Sequence, residues 1–293
     1  MKNRLVIVVD IDPSGPGTYP VNRIEPPPPA LETWNNSVKS VEIIDSEWDG
    51  RAVLTAHTSP LFRWDFFEDD YMDLYRRAVG AGATIAVHPH EDRDDGGMLY
   101  DDPDHMCQVV TGAHKRLTDA GIKPAAFRSS FFAFADHLPG LLSDLNMRVS
   151  LSSAPALRAS EQGAVWSPQW GPDFTTARMI CKENYLHASC DHDTWDVYEV
   201  PLGWSGQGTE LKMDYLFNEG SSLDSLCNVW ERVRRRGADT DRVQTVCFLC
   251  HGFGLGDDRW REQALRFIEF VRGCDDELVN VENLAAEIEG GSR

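Results

Sequence analysis

The sequence is short of positive charge and has no long apolar run. With 28 Lys and Arg against 47 Asp and Glu, the formal net charge is -19. A phosphate backbone would be repelled over most of such a surface, which argues against nucleic acid as a partner. The acidity itself reads as a solvated surface that keeps the chain soluble. No segment approaches the length of a membrane-spanning helix, so no membrane insertion is expected. The opening "MKNRLVIVVDID" has a basic start, but its apolar run is too short for a signal-peptide core and no small-residue cleavage site follows. Internal repeats are missing, and the nearest thing to low complexity is the run Pro26 to Pro29, which reads as a stiff local polyproline segment. The seven cysteines, an odd number scattered from Cys107 to Cys274, do not read as a disulfide framework, so the expectation is a reducing, cytoplasmic setting. Cys247 and Cys250 form a C-x-x-C inside "VQTVCFLC", where strand alternation sends them to opposite faces, as buried thiols.

What is present is enough apolar material for a large core: 42% of 293 residues are hydrophobic, which suits a single domain over 1–293. Seven short β-branched runs, "RLVIVV", "RAVLTAH", "ATIAVH", "AAFRSSFF", "MRVSLSS", "DVYEVPL" and "VQTVCFLC", alternate with amphipathic helical patterns. That alternation predicts a parallel sheet or barrel. The helical stripes are Tyr71, Leu74, Tyr75, Ala78 and Val79; Met106, Val109, Val110, Ala113 and Leu117; Leu223, Leu226, Trp230 and Val233; and Trp260, Ala264, Phe267, Ile268 and Val271. Gly80 and Gly82, Gly121, and Gly237 read as stop signals after three of these helices. Two stretches break the rhythm, a proline-rich one spanning 13–40 and an aromatic one spanning 154–195. Loops this long in a compact domain are usually binding walls, and both are read as rims of a pocket.

In parallel α/β architectures chemistry sits at the carboxyl ends of the strands. Here the first strand ends in Asp10-Ile11-Asp12, the third in His88-Pro89-His90, the fourth carries Arg128, and the last ends in His251. Each has an ordinary structural explanation as a cap, a surface imidazole or a core ion pair; their placement at one end of one sheet favours a site. Carboxylates with imidazoles suit a borderline divalent ion, zinc first, with cobalt, nickel, manganese or iron allowed by ligand type. Residues two apart on an extended segment point the same way, so Asp10 with Asp12, and His88 with His90, can each face one point, and Pro89 pre-orders the second pair. A competing geometry makes His88 a helix N-cap and pairs it with Asp92 at i,i+4.

The order of these motifs resembles the polysaccharide deacetylase family, carbohydrate esterase family four with its NodB-homology domain. "VVDID" resembles the family's Asp-containing strand end, and "GATIAVHPHED" its His-rich metal motif. "KPAAFRSSFFAFAD" resembles the arginine motif, and "LPGLLSDLNMRVSLSS" and "YEVPLGW" the segments that follow it. "VCFLCHG" resembles the final strand with its catalytic histidine. The coverage is nearly the whole chain. The resemblance implies a distorted (β/α) barrel of about seven parallel strands. It implies Asp10 as general base, Asp12 and His88 as metal ligands, His251 as general acid, and Arg128 holding Asp10 ionised. This sequence departs from the family in four places. The usual second histidine falls on Asp92, so either His90 or Asp92 completes the ligand set. Ile11 splits the usual tandem Asp pair, which leaves the roles of Asp10 and Asp12 exchangeable. Arg128 is followed by Ser129 rather than proline, and the acid that orients the histidine has no clear counterpart, with Glu199 and Asp257 as candidates.

The implied function is metal-dependent hydrolysis of an acetyl group, on an N-acetylated sugar or glycoconjugate, with one divalent ion and a small-molecule or oligosaccharide substrate. Alternatives are an amidohydrolase of the same superfamily acting on a cyclic ureide or imide, an O-acetyl esterase, and a catalytically silent carbohydrate-binding barrel. "HPHED" also resembles the "HPDDE" motif of zinc de-N-acetylases, but there the motif follows the first strand. Trp166, Trp170 and Trp204 are the candidates for stacking on a sugar face; packing of a large loop is an equally good reading of the aromatic segment with Phe174, Tyr185 and Trp195.

Overall fold

The computed structural model describes residues 2–13, 30–91, 98–157, 170–186, 193–284 and 286. The chain opens with β1 (Arg4–Asp10), followed by α1 (Ala30–Ser46), β2 (Val53–Thr58), α2 (Asp69–Ala81) and β3 (Thr84–Pro89). Next come α3 (Pro103–Asp119), the two-residue β4 (Ala126–Phe127), α4 (Leu138–Asp144) and β5 (Val149–Ser150). An edge hairpin, β6 (Arg178–Cys181) and β7 (Thr194–Glu199), precedes α5 (Leu211–Asp214), α6 (Leu223–Thr240), β8 (Thr245–His251), α7 (Gly252–Gly256), α8 (Asp258–Gly273) and β9 (Glu277–Leu278).

The strands form one curled sheet in the spatial order β6, β7, β5, β4, β3, β2, β1, β8, with β9 added beside the start of β1. All pairings are parallel except β6 with β7. Beyond β8 the barrel is completed by single bridges, Leu202 to Cys247 and Phe217 to Leu249, held by bonds such as Gly203 N to Cys247 O and Asn218 N to Leu249 O. This is the expected distorted (β/α) barrel of NodB-homology type, and the irregular closure is its distortion.

Strand alternation separates two cores. Leu5, Ile7, Val9 and Ile11 face the helices, where they meet Ile44, Tyr75, Phe248 and Phe267. Val6 and Val8 face the barrel interior with Val53, Ala86, Ala126 and Leu249. Cys250 joins the first cluster and Cys247 the second, so the C-x-x-C pair does point to opposite faces. All four helical stripes lie on buried faces except at four edge positions. Val79 is exposed, and Tyr71, Leu223 and Trp260 are half-buried.

Several expectations need correction. The predicted rim at 13–40 is helical from Ala30 onward, because Pro29 is the last residue without an N–H and Trp34, Val38 and Val41 then recur on one side of α1. The predicted rim at 154–195 contains β6, an antiparallel edge strand whose pairing register no local pattern announces. Gly237 lies inside α6, which runs on to Thr240 and is capped by Asp241 in the left-handed region. A Cβ at Gly237 would stand 2.7 Å from Asn3 Oδ1, so close packing, not helix termination, requires that glycine. Cys181 on β6 is disulfide-bonded, while Cys107, Cys227, Cys247, Cys250 and Cys274 are free thiols. Cysteine spacing does not reveal a pairing set by the chain path, and the inference of a reducing compartment loses that support. Among the described residues no helix is long and apolar enough to cross a membrane.

The connection from α1 into β2 depends on Gly50, at φ 72°, where a Cβ would stand 1.9 Å from Ala81 O at the end of α2. Because the clash is with backbone and the conformation is left-handed, Gly50→Ala should cost at least about 2 kcal/mol, read as a lowered midpoint in urea unfolding with unchanged m value.

Candidate active site

The site residues continue the inward half of the strand alternation. Asp10 and Asp12 follow Val6 and Val8, His88 follows Ala86, Arg128 follows Ala126, and His251 follows Cys247 and Leu249. Parallel registry then pairs Asp10 with His251 across β1 and β8, and His57 with His88 across β2 and β3. His90, Phe217, Lys212 and Trp260 join Asp10, Asp12, His88, Arg128 and His251 around a cavity of 530 Å³.

Both aspartates are buried, Asp10 at 1% and Asp12 at 4% exposure. Each is met by cationic or polar partners. Arg128 Nε stands 3.3 Å from Asp10 Oδ2, and its guanidinium lies 4.5 Å over the Phe132 ring. Asp12 Oδ1 is 2.9 Å from His57 Nδ1 and 3.2 Å from His88 Nε2. Burial alone would raise the Asp12 carboxyl, but His88, His57 and His90 outweigh it and hold it well below the usual range. Burial brings the His57 imidazole down to about 4, against its bond to Asp12, so His57 is neutral.

Asp12, His57 and His88 bring one ligand atom each to within 4.8 Å of one another, as do Asp10, Asp12 and His251. The first set, one carboxylate and two imidazoles, is a zinc-type donor set. The tautomer of His88 tests the fit. Its Nδ1–H donates to Arg128 O at 2.7 Å, so the neutral ring turns a bare Nε2 toward Asp12 Oδ1 and toward Asp10 Oδ2, 3.9 Å away. That Nε2, His57 Nε2 and Asp10 Oδ1 are all buried without a hydrogen-bond partner. A lone pair facing two carboxylates is repulsive unless a proton on that nitrogen or a metal cation stands among them. Burial lowers the His88 imidazole, yet Asp10 and Asp12 raise it beyond its usual value, which expresses the same demand for positive charge. The residues therefore fit a divalent ion.

His251 is held from the other side. Glu219 accepts from its backbone N–H at 2.9 Å and faces its Nδ1 at 3.0 Å, and the ring stacks on Phe253 at 4.9 Å. Burial lowers this imidazole, but Glu219, Asp10 and Asp12 carry it up to about 9. Glu219 is thus the orienting acid. Of the sequence candidates, Glu199 instead accepts from Ser152 and Ser153 backbone N–H groups, and Asp257 caps α8.

Of the sequence-derived residues, Asp10, Asp12, His88, His90, Arg128 and His251 come together around one cavity. β3 runs through Pro89, so His88 is extended and not a helix cap. The His90 ring lies 5.4 Å from His57 and 5.5 Å from His88, beside the convergent ligand set. Asp92 and Trp166 lie outside the described residues. Trp170 is 1% exposed among Phe134, Phe174 and Tyr185, so it packs the core, and Trp204 stacks on Tyr215 with its Nε1 donating to Gly208 O. The aromatic wall of the cavity is instead Phe131, Phe132, Phe217, Phe253 and Trp260. Phe131 and Phe132 sit at φ 47° and 58°, an uncommon conformation for bulky residues that turns both rings onto the cavity.

Sequence reasoning missed His57 and Glu219. His57 had a signal, since it ends "RAVLTAH" at the same edge as His88. Glu219 had none, because it lies in the irregular segment that closes the barrel. Glu91 was also missed. It is fully buried, clamped by Arg63 at 2.6 and 2.9 Å and by His105 Nε2 at 2.7 Å, and fixes the chain next to His90.

No family model matches the sequence, and no curated protein does. Solved structures do. A candidate polysaccharide deacetylase from Mycobacterium smegmatis superposes with a TM-score of 0.63 at 14% identity, over 99% of this chain and 91% of that one. A probable polysaccharide deacetylase from Pseudomonas aeruginosa PAO1 matches at 0.57 and 11%, over 97% and 89%. The allantoinase PuuE matches at 0.57 and 11%, over 97% and 89%. At these identities the likeness is one of fold.

Two outcomes are expected. His57→Ala should weaken zinc binding on the order of 100-fold, and His90→Ala by less, in competition titrations with a chromophoric chelator; an inverted ranking would return His90 to the ligand set. Burial pushes the Glu199 carboxyl up to about 7, against its two backbone donors. The folded state therefore holds a proton that the unfolded chain releases near its usual 4.5, so stability is full below that pH and falls as pH rises through 7. Glu199→Gln should flatten this dependence and gain about 2 kcal/mol relative to wild type at pH 8 over pH 4, measured by chemical denaturation at both.

Proposed function

We propose that the protein is a metal-dependent hydrolase that removes an acetyl group from an N-acetylated sugar or glycoconjugate. The observation that carries this reading is the arrangement of an acid and a base in one cavity. Asp10 and His251 are register partners on adjacent strands, and Asp12 lies beside both. Asp12, His57 and His88 would hold the ion, zinc by donor type, which when bound supplies Lewis acidity toward the acyl oxygen and the attacking water.

Asp10 is the general base. Its Oδ1 is unpartnered while Oδ2 is held by Arg128, so one oxygen is anchored and the other is free to accept a proton from water. His251 is the general acid, since an imidazole raised to about 9 is protonated at neutral pH and its Nδ1 is committed to Glu219. The proton therefore leaves from Nε2 toward the departing amine. A base and an acid separated in this way divide the two proton transfers of amide hydrolysis between them. The aromatic wall excludes water and offers flat faces to a sugar ring.

Asp10→Asn should lower kcat by about 10²–10⁴-fold while zinc content is retained. Equal loss of metal and turnover would exchange the roles of Asp10 and Asp12. The assay is acetate release from N-acetylated and O-acetylated sugars, run beside ring opening of a cyclic ureide; no turnover on the first group with turnover on the last would overturn the deacetylase assignment.

A further inference from the structure

Among the described residues that line the cavity, Lys212 is a cation that the chemistry above does not use. Lys212 lies on α5 with an exposed side chain and lines the same cavity as Asp10 and His251. Arg128, the other fixed cation there, is committed to Asp10 and the Ser129 carbonyl. Lys212 forms no ion pair or hydrogen bond with any described residue. Asp214, two residues on, accepts from Glu210 N and Ser205 Oγ, and Glu219, next to Gly220, is taken by the backbone and ring of His251.

The position of the lysine is built into the fold. Buried Leu211 anchors the preceding residue in the barrel interior. The lysine arm then lies across Gly220, where a Cβ would stand 2.6 Å from Cε and 3.0 Å from Nζ. Gly220, at φ 84°, therefore both permits the turn after Glu219 and leaves the space in which the arm lies.

We propose that Lys212 is a specificity residue that receives an anionic oxygen substituent, a carboxylate or a phosphate, on the acylated substrate. This rests on the acyl-hydrolase reading and narrows its substrate class. On a surface of net charge -19 a polyanion is repelled at long range, whereas a single anionic group brought into the cavity meets the lysine directly. The substrate is thus a small or otherwise neutral N-acetylated compound with one acidic group, its ring set against the aromatic wall.

The test compares N-acetylglucosamine, its 6-carboxylate and its 6-phosphate, by calorimetric binding and by acetate release, on zinc-loaded wild type, Lys212→Gln and Lys212→Arg. Wild type should prefer at least one anionic probe over the neutral one by on the order of tenfold. Lys212→Gln should erase that ratio and Lys212→Arg should restore it. Which anion is preferred identifies the substituent. Equal binding of all three, or a preference that survives Lys212→Gln, would overturn the assignment while leaving the hydrolase intact. A lysine-dependent binding preference without acetate from any probe would instead overturn deacetylation and keep the anion site. If no probe binds at all, both fail.

Discussion

Two carboxylates buried two residues apart are the constraint on which the rest of the site depends. Asp10 and Asp12 stand almost without solvent at the end of β1, where like charges in a low-dielectric setting strongly disfavour one another. The surrounding residues answer that problem. Arg128 meets the first, His57 and His88 face the second, and the His88 Nε2, set between the two carboxylates, marks where positive charge, a proton or a metal ion, belongs. An arrangement that offsets two anions in this way is compatible with a divalent cation among them.

The sheet supplies the precision. Because β1 pairs with β8 and β2 with β3 in parallel register, the partners Asp10 and His251, and His57 and His88, are set at fixed spacing by backbone hydrogen bonds, not by loop conformation. Around them stands a second tier of buried or part-buried acids. Glu219 aims the His251 ring, and Glu91, clamped by Arg63 and His105, fixes the chain beside His90. His251, through Glu219, and His88, through the Arg128 carbonyl, thus each have an outer partner that limits rotation, a general condition for a preorganised centre.

The irregular side of the barrel performs a different task. Where a regular strand would close the sheet beyond β8, the chain makes single bridges at Leu202 and Phe217. That segment brings Glu219, Gly220 and Lys212 to the rim of the cavity. Irregular backbone there gives up hydrogen-bonded regularity and gains side chains aimed from a direction that no parallel strand offers.

By itself the sequence determined the parallel α/β plan, the helix faces and the strand-end residues Asp10, Asp12, His88, Arg128 and His251. All of these follow from periods of two and 3.6 and from the rule that such strands end at the chemistry. Tertiary structure decided the choice among neighbours. His57 joins Asp12 and His88 as a candidate ligand group because registry sets it against His88. Trp170 and Trp204 leave the cavity because packing and a hydrogen bond to Gly208 O claim them, and Trp260 enters it from the edge of an otherwise buried helix face. Glu219 orients His251 from 32 residues away in the chain. Such pairings depend on how distant segments are brought together, and local periodicity carries no record of that.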